Sequence, residues 1–279
     1  MTHLPYGEAA NAPWSVEITP ALAGWTYSGL RIVDLTDAPV SFDTGEEEML
    51  VLPISGSCTV TIPSDKFVLA GRPSVFDGPS DFAYIPISTQ VTLEGAGRIA
   101  LPAARATRAL RPRYVPAIEV PVEIRGAGQA TRQVNNFCAP DVFECDKLVA
   151  VEVLTPDGNW SSYPPHKHDT AHPGEAVLEE IYYFEVADQG IGYQRVYSSE
   201  RGRIDTLAEV SSGDVVLVPY GYHGPSMAAP GYDLYYLNVL AGPAEQRSMA
   251  FCDDPRHAWI RSSWDAQPTD PRVPFGRTS

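Results

Sequence analysis

Three of the six histidines fall within seven residues, in Pro164-Pro165-His166-Lys167-His168-Asp169-Thr170-Ala171-His172. In an extended strand, residues two apart share a face and stand roughly 6.6 Å apart. His166 and His168 can therefore aim two imidazoles at one point while Lys167 faces away, and the two preceding prolines restrict the backbone. A metal centre needs more donors. Glu180 heads a strand whose alternate residues are Tyr182 and Phe184, a face expected to turn inward. Glu175 and Glu179 compete with it, and strand parity favours Glu180. Pro219-Tyr220-Gly221-Tyr222-His223 places another histidine just after a turn. Three His and one Glu suit a first-row divalent ion with open positions, at which a substrate oxygen can bind. His172 is read as loop, and His3 and His257 as structural or exposed.

The elements that must position these groups are strands. Runs rich in Val, Ile, Tyr and Leu recur at 29–35, 49–54, 58–62, 82–87, 90–93, 148–154, 180–186, 193–197, 214–219 and 232–240. Turn residues bound them, and 26 prolines and 22 glycines are spread along the chain. Helical signals are few. Asp254-Pro255-Arg256 through Trp264 has a cap and a proline at the first helical position, and 103–110 suggests another turn or two. Short strands with regular turns indicate an all-β sandwich or barrel. Gly126-Ala127-Gly128 follows a strand-like run, but Thr131 stands where a third glycine is needed and no helix follows, so a dinucleotide site is not expected.

Two stretches share one order of features. Glu46-Glu47-Glu48 leads into a strand, a turn, a second strand and, after a gap, Ser80–Pro86; Glu179-Glu180 leads into the same series ending at Ser212–Pro219. This is a weak internal duplication, read as two copies of one β domain. Arg111-Pro112-Arg113 and Pro116–Pro121 look like the connector, giving domains 1–115 and 116–279. The first copy has Glu48 but no His-x-His before it, and Ser88-Thr89-Gln90 follows Pro86 where a histidine is needed. It is expected to be a metal-free structural module.

Composition narrows the partners. With 35 acidic and 20 basic residues the net charge is −15, which excludes a broad basic surface for nucleic acid or anionic lipid. No apolar run reaches the length of a membrane span, and the first residues do not read as a secretory signal. Cys58, Cys138, Cys145 and Cys252 are sparse and form no Cys-x-x-Cys, as in a reduced cytoplasmic protein. The expected partner is a small molecule; homo-oligomerisation is left open.

The His-x-His pair, the glutamate on the next strand and Gly213 to His223 together resemble the two motifs of the cupin superfamily, and the duplication resembles a bicupin. Pro165-His166-Lys167-His168-Asp169, Glu179-Glu180-Ile181-Tyr182-Tyr183-Phe184 and Val218-Pro219-Tyr220-Gly221-Tyr222-His223-Gly224-Pro225 are similar to the 5-deoxy-glucuronate isomerases of myo-inositol catabolism. The Gly126–Arg132 segment and the Tyr235-Tyr236-Leu237-Asn238 strand fit as well. The resemblance implies two jelly-roll barrels with a few short helices. It also implies a metal in the C-terminal half on His166, His168, Glu180 and His223. The long gap from His168 to Glu180 requires a loop that bulges between strands.

The activity implied is an aldose–ketose isomerisation of 5-deoxy-glucuronate to 2-deoxy-5-keto-gluconate. A divalent ion would stabilise the charge on an enediol, with zinc the first choice and manganese, iron or nickel open. The substrate carboxylate needs a cation. If the 187–190 turn closes a hairpin, Glu180 pairs with Tyr197 and Tyr182 with Arg195, which turns Arg195 toward the metal. Lys167 is the second candidate for substrate binding, and Tyr182, Tyr222 and Tyr236 are candidates for proton transfer. Competing activities are 4-deoxy-5-hexosulose-uronate isomerisation, an iron-dependent cupin dioxygenase, and non-catalytic sugar binding.

Overall fold

In the computed structural model, which describes residues 2–36 and 38–276, the apolar runs form strands and the turn residues end them. Two barrels repeat one strand order. In the second, a seven-stranded antiparallel sheet runs His3–Leu4, Val215–Val218, Glu179–Val186, Leu234–Ala241, Val149–Thr155, Arg132–Asn136, Val122–Arg125. In the first, the matching path runs Arg113–Val115, Phe82–Ile85, Glu47–Pro53, Gln90–Arg105, Ser28–Leu35, Trp14–Ile18. Each barrel borrows its outer strand. His3–Leu4, at the start of the chain, pairs with Val215–Val218 of the second barrel. Arg113–Val115, which leads toward the second barrel, pairs with Phe82–Ile85 of the first. The exchange covers two sheet edges that would otherwise expose unpaired backbone groups.

A second sheet closes each barrel. In the C-terminal one it runs Gly202–Val210, Gly192–Ser199, Tyr222–Ala228, His166–Lys167, Cys252–Asp253. In the N-terminal one, the 16-residue strand Gln90–Arg105 serves both sheets. Its pairing passes from one sheet to the other at Gly97, where φ is +125° and a Cβ would lie 2.2 Å from the Ser55 carbonyl oxygen, so only glycine fits.

Strand alternation sorts most of the buried apolar residues into three large cores, with a small fourth cluster at Val149, Leu178 and Leu240. Met49, Val51, Ala83 and Ile85 fill the first barrel. Tyr182, Phe184, Val216 and Val218 point into the second. The opposite faces of the same strands, with Leu50, Leu52, Tyr84, Ile181, Tyr183 and Leu217, meet in a core between the barrels. Two carboxylates pin this interface from opposite sides. Glu48 accepts the backbone N–H groups of Asp146, Lys147 and Leu148 at 2.6–2.8 Å and the Tyr84 hydroxyl at 2.7 Å. Glu179 accepts those of Thr26, Tyr27 and Ser28 at 2.7–2.9 Å. A buried bidentate pair, Arg72 to Glu152 at 2.7 Å for both contacts, ties them again.

Three expectations are corrected. The turns expected over 103–110 do not form; Ala103 is strand, flanked by Gly29 and Met49 on two partner strands. Pairing on both edges overrides the helix preference of alanine. The helix expected from Asp254 is a 3-10 segment, Ala258–Ala266, entered through a turn in which Asp254 accepts the Arg256 N–H at 2.9 Å. The hairpin expected across 187–190 is absent: Glu179–Val186 already has Val215–Val218 and Leu234–Ala241 on its two edges, so the chain crosses to the other sheet. Glu180 therefore pairs with Val218 and Leu240, not Tyr197, and Tyr182 with Val216 and Asn238, not Arg195.

Candidate metal centre and its cavity

The site is built where the two sheets of the second barrel face each other. His166 lies directly opposite His223 in the pairing of His166–Lys167 with Tyr222–Ala228. His168 follows on the same strand path, and the interval after it folds as a small hairpin, Asp169–His172 with Glu175–Val177, which takes up the long gap before Glu180. Glu180 enters from the facing sheet. His168 Nε2 lies 2.9 Å and His223 Nε2 3.0 Å from one oxygen, Glu180 Oε2. These three donors form a buried group whose ligand atoms all lie within 4.8 Å of one another. His166 stands beside the group and not within it, with its ring centroid 4.5 Å from that of His223 and 6.3 Å from that of His168.

The hydrogen bonds behind the rings set their chemistry. His168 Nδ1 faces the Leu178 carbonyl at 3.1 Å, and His223 Nδ1 faces the Gly221 carbonyl at 3.2 Å. A carbonyl only accepts, so each Nδ1 carries a proton, and each Nε2 is left facing the carboxylate, where it can donate a second proton to it or offer its lone pair to a metal ion. Apart from this 3.0 Å approach to Glu180, His223 Nε2 is buried without a hydrogen-bond partner among the described residues. Three acceptors aimed at one point need a cation between them, a proton or a metal ion. Imidazole rings oriented by carbonyls, with a carboxylate, are a donor set that fits a divalent ion. Burial by itself would raise the Glu180 pKa, yet positive charge and hydrogen bonds from the His223 and His168 rings, when their Nε2 atoms carry protons, outweigh it and hold the carboxyl far below its ordinary range. Burial, reinforced by His223, pushes His166 well below the usual imidazole value, so its ring is neutral.

Beside this group opens a cavity of about 510 Å³, in the range of small-molecule sites. Tyr182 and Tyr236 line it, and their hydroxyls meet at Ser162 Oγ, at 3.0 and 3.1 Å. Burial raises both phenol pKa values, so both are protonated at neutral pH. The Asn238 amide nitrogen in the same wall is buried and has no partner among the described residues.

Other candidates sit elsewhere. Arg195 is not in the cavity wall; it bonds the Thr206 carbonyl at 2.8 Å and Asp205 at 2.6 Å on the outer side of its sheet. The reason is the missing hairpin, which had supplied its expected orientation. Lys167 faces away from the imidazoles, and its ammonium is held by Asp169 and Glu175, both at 2.9 Å. Tyr222 alternates with His223 and stacks on Tyr197, with ring centroids 5.5 Å apart, outside the cavity. Ser162 went unnoticed because a single serine in a loop carries no sequence signal. Asn238 and Arg132 stood within stretches noted only for their overall likeness.

A family model described as the KduI/IolB family matches residues 3–260. A protein named 5-deoxy-glucuronate isomerase from Geobacillus thermodenitrificans (strain NG80-2) is 40% identical over 255 residues, covering 89% of this chain and 91% of that protein. Its namesake from Bacillus subtilis (strain 168) is 37% identical over 251 residues, covering 88% and 91%. Among solved structures, an IolB-like protein from Salmonella typhimurium LT2 superposes with a TM-score of 0.86 at 34% identity, over 93% of this chain and 99% of that one. The oxalate decarboxylase of Lactobacillus farciminis, at 11% identity and TM-score 0.64 over 91% and 88%, shares the fold alone. The architecture is that of a bicupin.

Proposed function

The chain belongs to the KduI/IolB family, and from that premise we propose that it is a metal-dependent aldose–ketose isomerase converting 5-deoxy-glucuronate to 2-deoxy-5-keto-gluconate in the cytoplasm. The observation that carries the reading is the convergence of the His168 and His223 Nε2 atoms on Glu180 at one end of a cavity sized for a sugar acid. The relatives named for this reaction support the substrate. His168, Glu180 and His223 would hold the ion, with His166 completing the set; zinc is our choice. When bound, a divalent ion would supply a Lewis acid that stabilises negative charge developing on substrate oxygen. The N-terminal barrel serves as a metal-free scaffold.

The reaction moves a proton from C2 to C1 and another between their oxygens, with no net change of composition. Tyr182, Ser162 and Tyr236 form a hydroxyl relay along the cavity wall. Both phenols are protonated, so they donate to a substrate oxygen as it gains charge and take a proton back from its neighbour. Asn238 offers a fixed donor beside them. Val134, Val151 and Val153 in the same wall keep bulk water from the reacting carbons.

Elemental analysis and a ketose assay test this together. About one divalent ion per chain, lost in His168→Ala, and ketose formation from 5-deoxy-glucuronate without oxygen are expected. Turnover of 4-deoxy-5-hexosulose-uronate instead would reassign the substrate. A requirement for oxygen would point to a dioxygenase, and metal binding without turnover of either acid would leave a sugar-binding protein.

A further inference from the structure

We propose that Arg132 is the anchor for the substrate's carboxylate; this rests on the isomerase reading above and names the recognition element that Arg195 does not provide. One side of the cavity is walled by Arg125, Arg132, Arg261 and Trp264. Two of these arginines are already neutralised. Arg125 bonds Glu123 at 2.8 Å, and Arg261 makes two contacts with Asp253 at 2.5 and 2.8 Å. Arg132 differs from both. It is 7% exposed, and its Nη1 donates to the Ala130 carbonyl at 3.0 Å. Among the described residues it has no carboxylate partner. Glu123 and Glu180 are the acidic residues of the cavity wall; the first is matched to Arg125, and the second belongs to the imidazole cluster.

A buried guanidinium without a counterion is costly unless an anion arrives to share the site. Burial, with Arg125 and Arg261 nearby, depresses the Arg132 pKa from its ordinary value to about 10, as expected for a cation short of negative charge. The Trp264 ring lies 5.5 Å from the guanidinium carbon and supports it. The backbone makes room for it as well. Gly126 has φ of +73°, and a Cβ there would lie 2.7 Å from Arg132 Nη1 and 2.2 Å from the Ala130 carbonyl oxygen. Gly126, part of a stretch that falls short of a nucleotide motif, thus shapes the seat of an arginine. A planar guanidinium matches a carboxylate with two parallel hydrogen bonds. With the imidazole cluster holding the reacting end, Arg132 would fix the acid end and so the direction in which the sugar lies.

Calorimetric titration of the metal-loaded protein with D-glucuronate and with D-glucose, which lacks the carboxylate, tests the assignment. The wild type is expected to prefer glucuronate. R132Q should bind glucuronate about 100-fold more weakly and glucose unchanged. R132K, which keeps the charge and loses the fork, should fall between, at about 10-fold weaker, and carries the test should R132Q fail to fold. Equal glucuronate affinity in wild type and both variants overturns the proposal. So does a parallel loss for both sugars, which marks a packing role, or a wild type that does not discriminate between them. Carboxylate-dependent binding without turnover of 5-deoxy-glucuronate would sink the isomerase reading and leave Arg132 as the anion site.

Discussion

In the second barrel Glu180 lies between Val218 and Leu240; in the first, Met49 lies between Ile85 and Ala103. Pro219 and Pro86 follow Val218 and Ile85, so the two frames coincide and Met49 is the counterpart of Glu180. Glu48 is the counterpart of Glu179. The acidic pairs noticed in the sequence are thus offset by one residue, and a one-residue offset on a strand moves a side chain to the other face. Glu48 and Glu179 both face the interface, where each gathers three backbone N–H groups of the opposite barrel. At the next position one barrel points a thioether into an apolar core and the other a carboxylate into a histidine cluster. One framework is therefore used twice, with the interface residues shared and the interior residues exchanged.

Transplanting Met49's side chain into the second barrel attacks this contrast most directly. Glu180→Met should abolish metal binding and lower turnover on the order of 1000-fold or more, read by elemental analysis and the ketose assay. A variant that keeps its metal would show that the imidazoles suffice. The reverse exchange, Met49→Glu, buries a carboxylate with no imidazoles around it. It should cost about 3–5 kcal/mol in urea unfolding and recruit no second ion. A second bound metal in that variant would break the comparison.

The shared interface positions sharpen it. Glu48→Gln and Glu179→Gln should each cost about 1.5–3 kcal/mol, because each removes charge-assisted hydrogen bonds to three backbone donors. Glu48→Gln should be the larger, since Glu48 is fully buried and also holds the Tyr84 hydroxyl. Unfolding of the two single variants and the double variant measures whether the clamps act independently. The smallest effect concerns Asp146, which joins the barrels through Thr107 and Arg108. Burial alone would raise its pKa, but the Arg108 guanidinium and these backbone donors together lower it from 3.8 to about 2. Its contribution is complete above pH 3.8 and is lost as the pH falls toward 2. The stability gap between wild type and Asp146→Asn should close over that interval; a gap that widens on acidification would reverse the sign of this contact.

Most strand positions, the duplication and the candidacy of His168, Glu180 and His223, which the structure brings together, were legible in the sequence because they depend on local rules. Turn residues end strands wherever they stand, and the strand parity of Glu180 with Tyr182 and Phe184 follows from the two-residue repeat of the backbone. Partner choice was not legible. Nothing local to 186–192 says that the chain leaves one sheet for the other, and that crossing decided that Arg195 faces outward. The same holds for Arg132, whose local sequence suggested a failed nucleotide motif. That it lies buried with no carboxylate partner among the described residues appears only when Trp264, Arg261 and the imidazole cluster, far away along the chain, line the same cavity. Residue type and spacing determined which groups were capable of chemistry. Long-range pairing of strands, set by which edges were already occupied, decided which of those groups share a space.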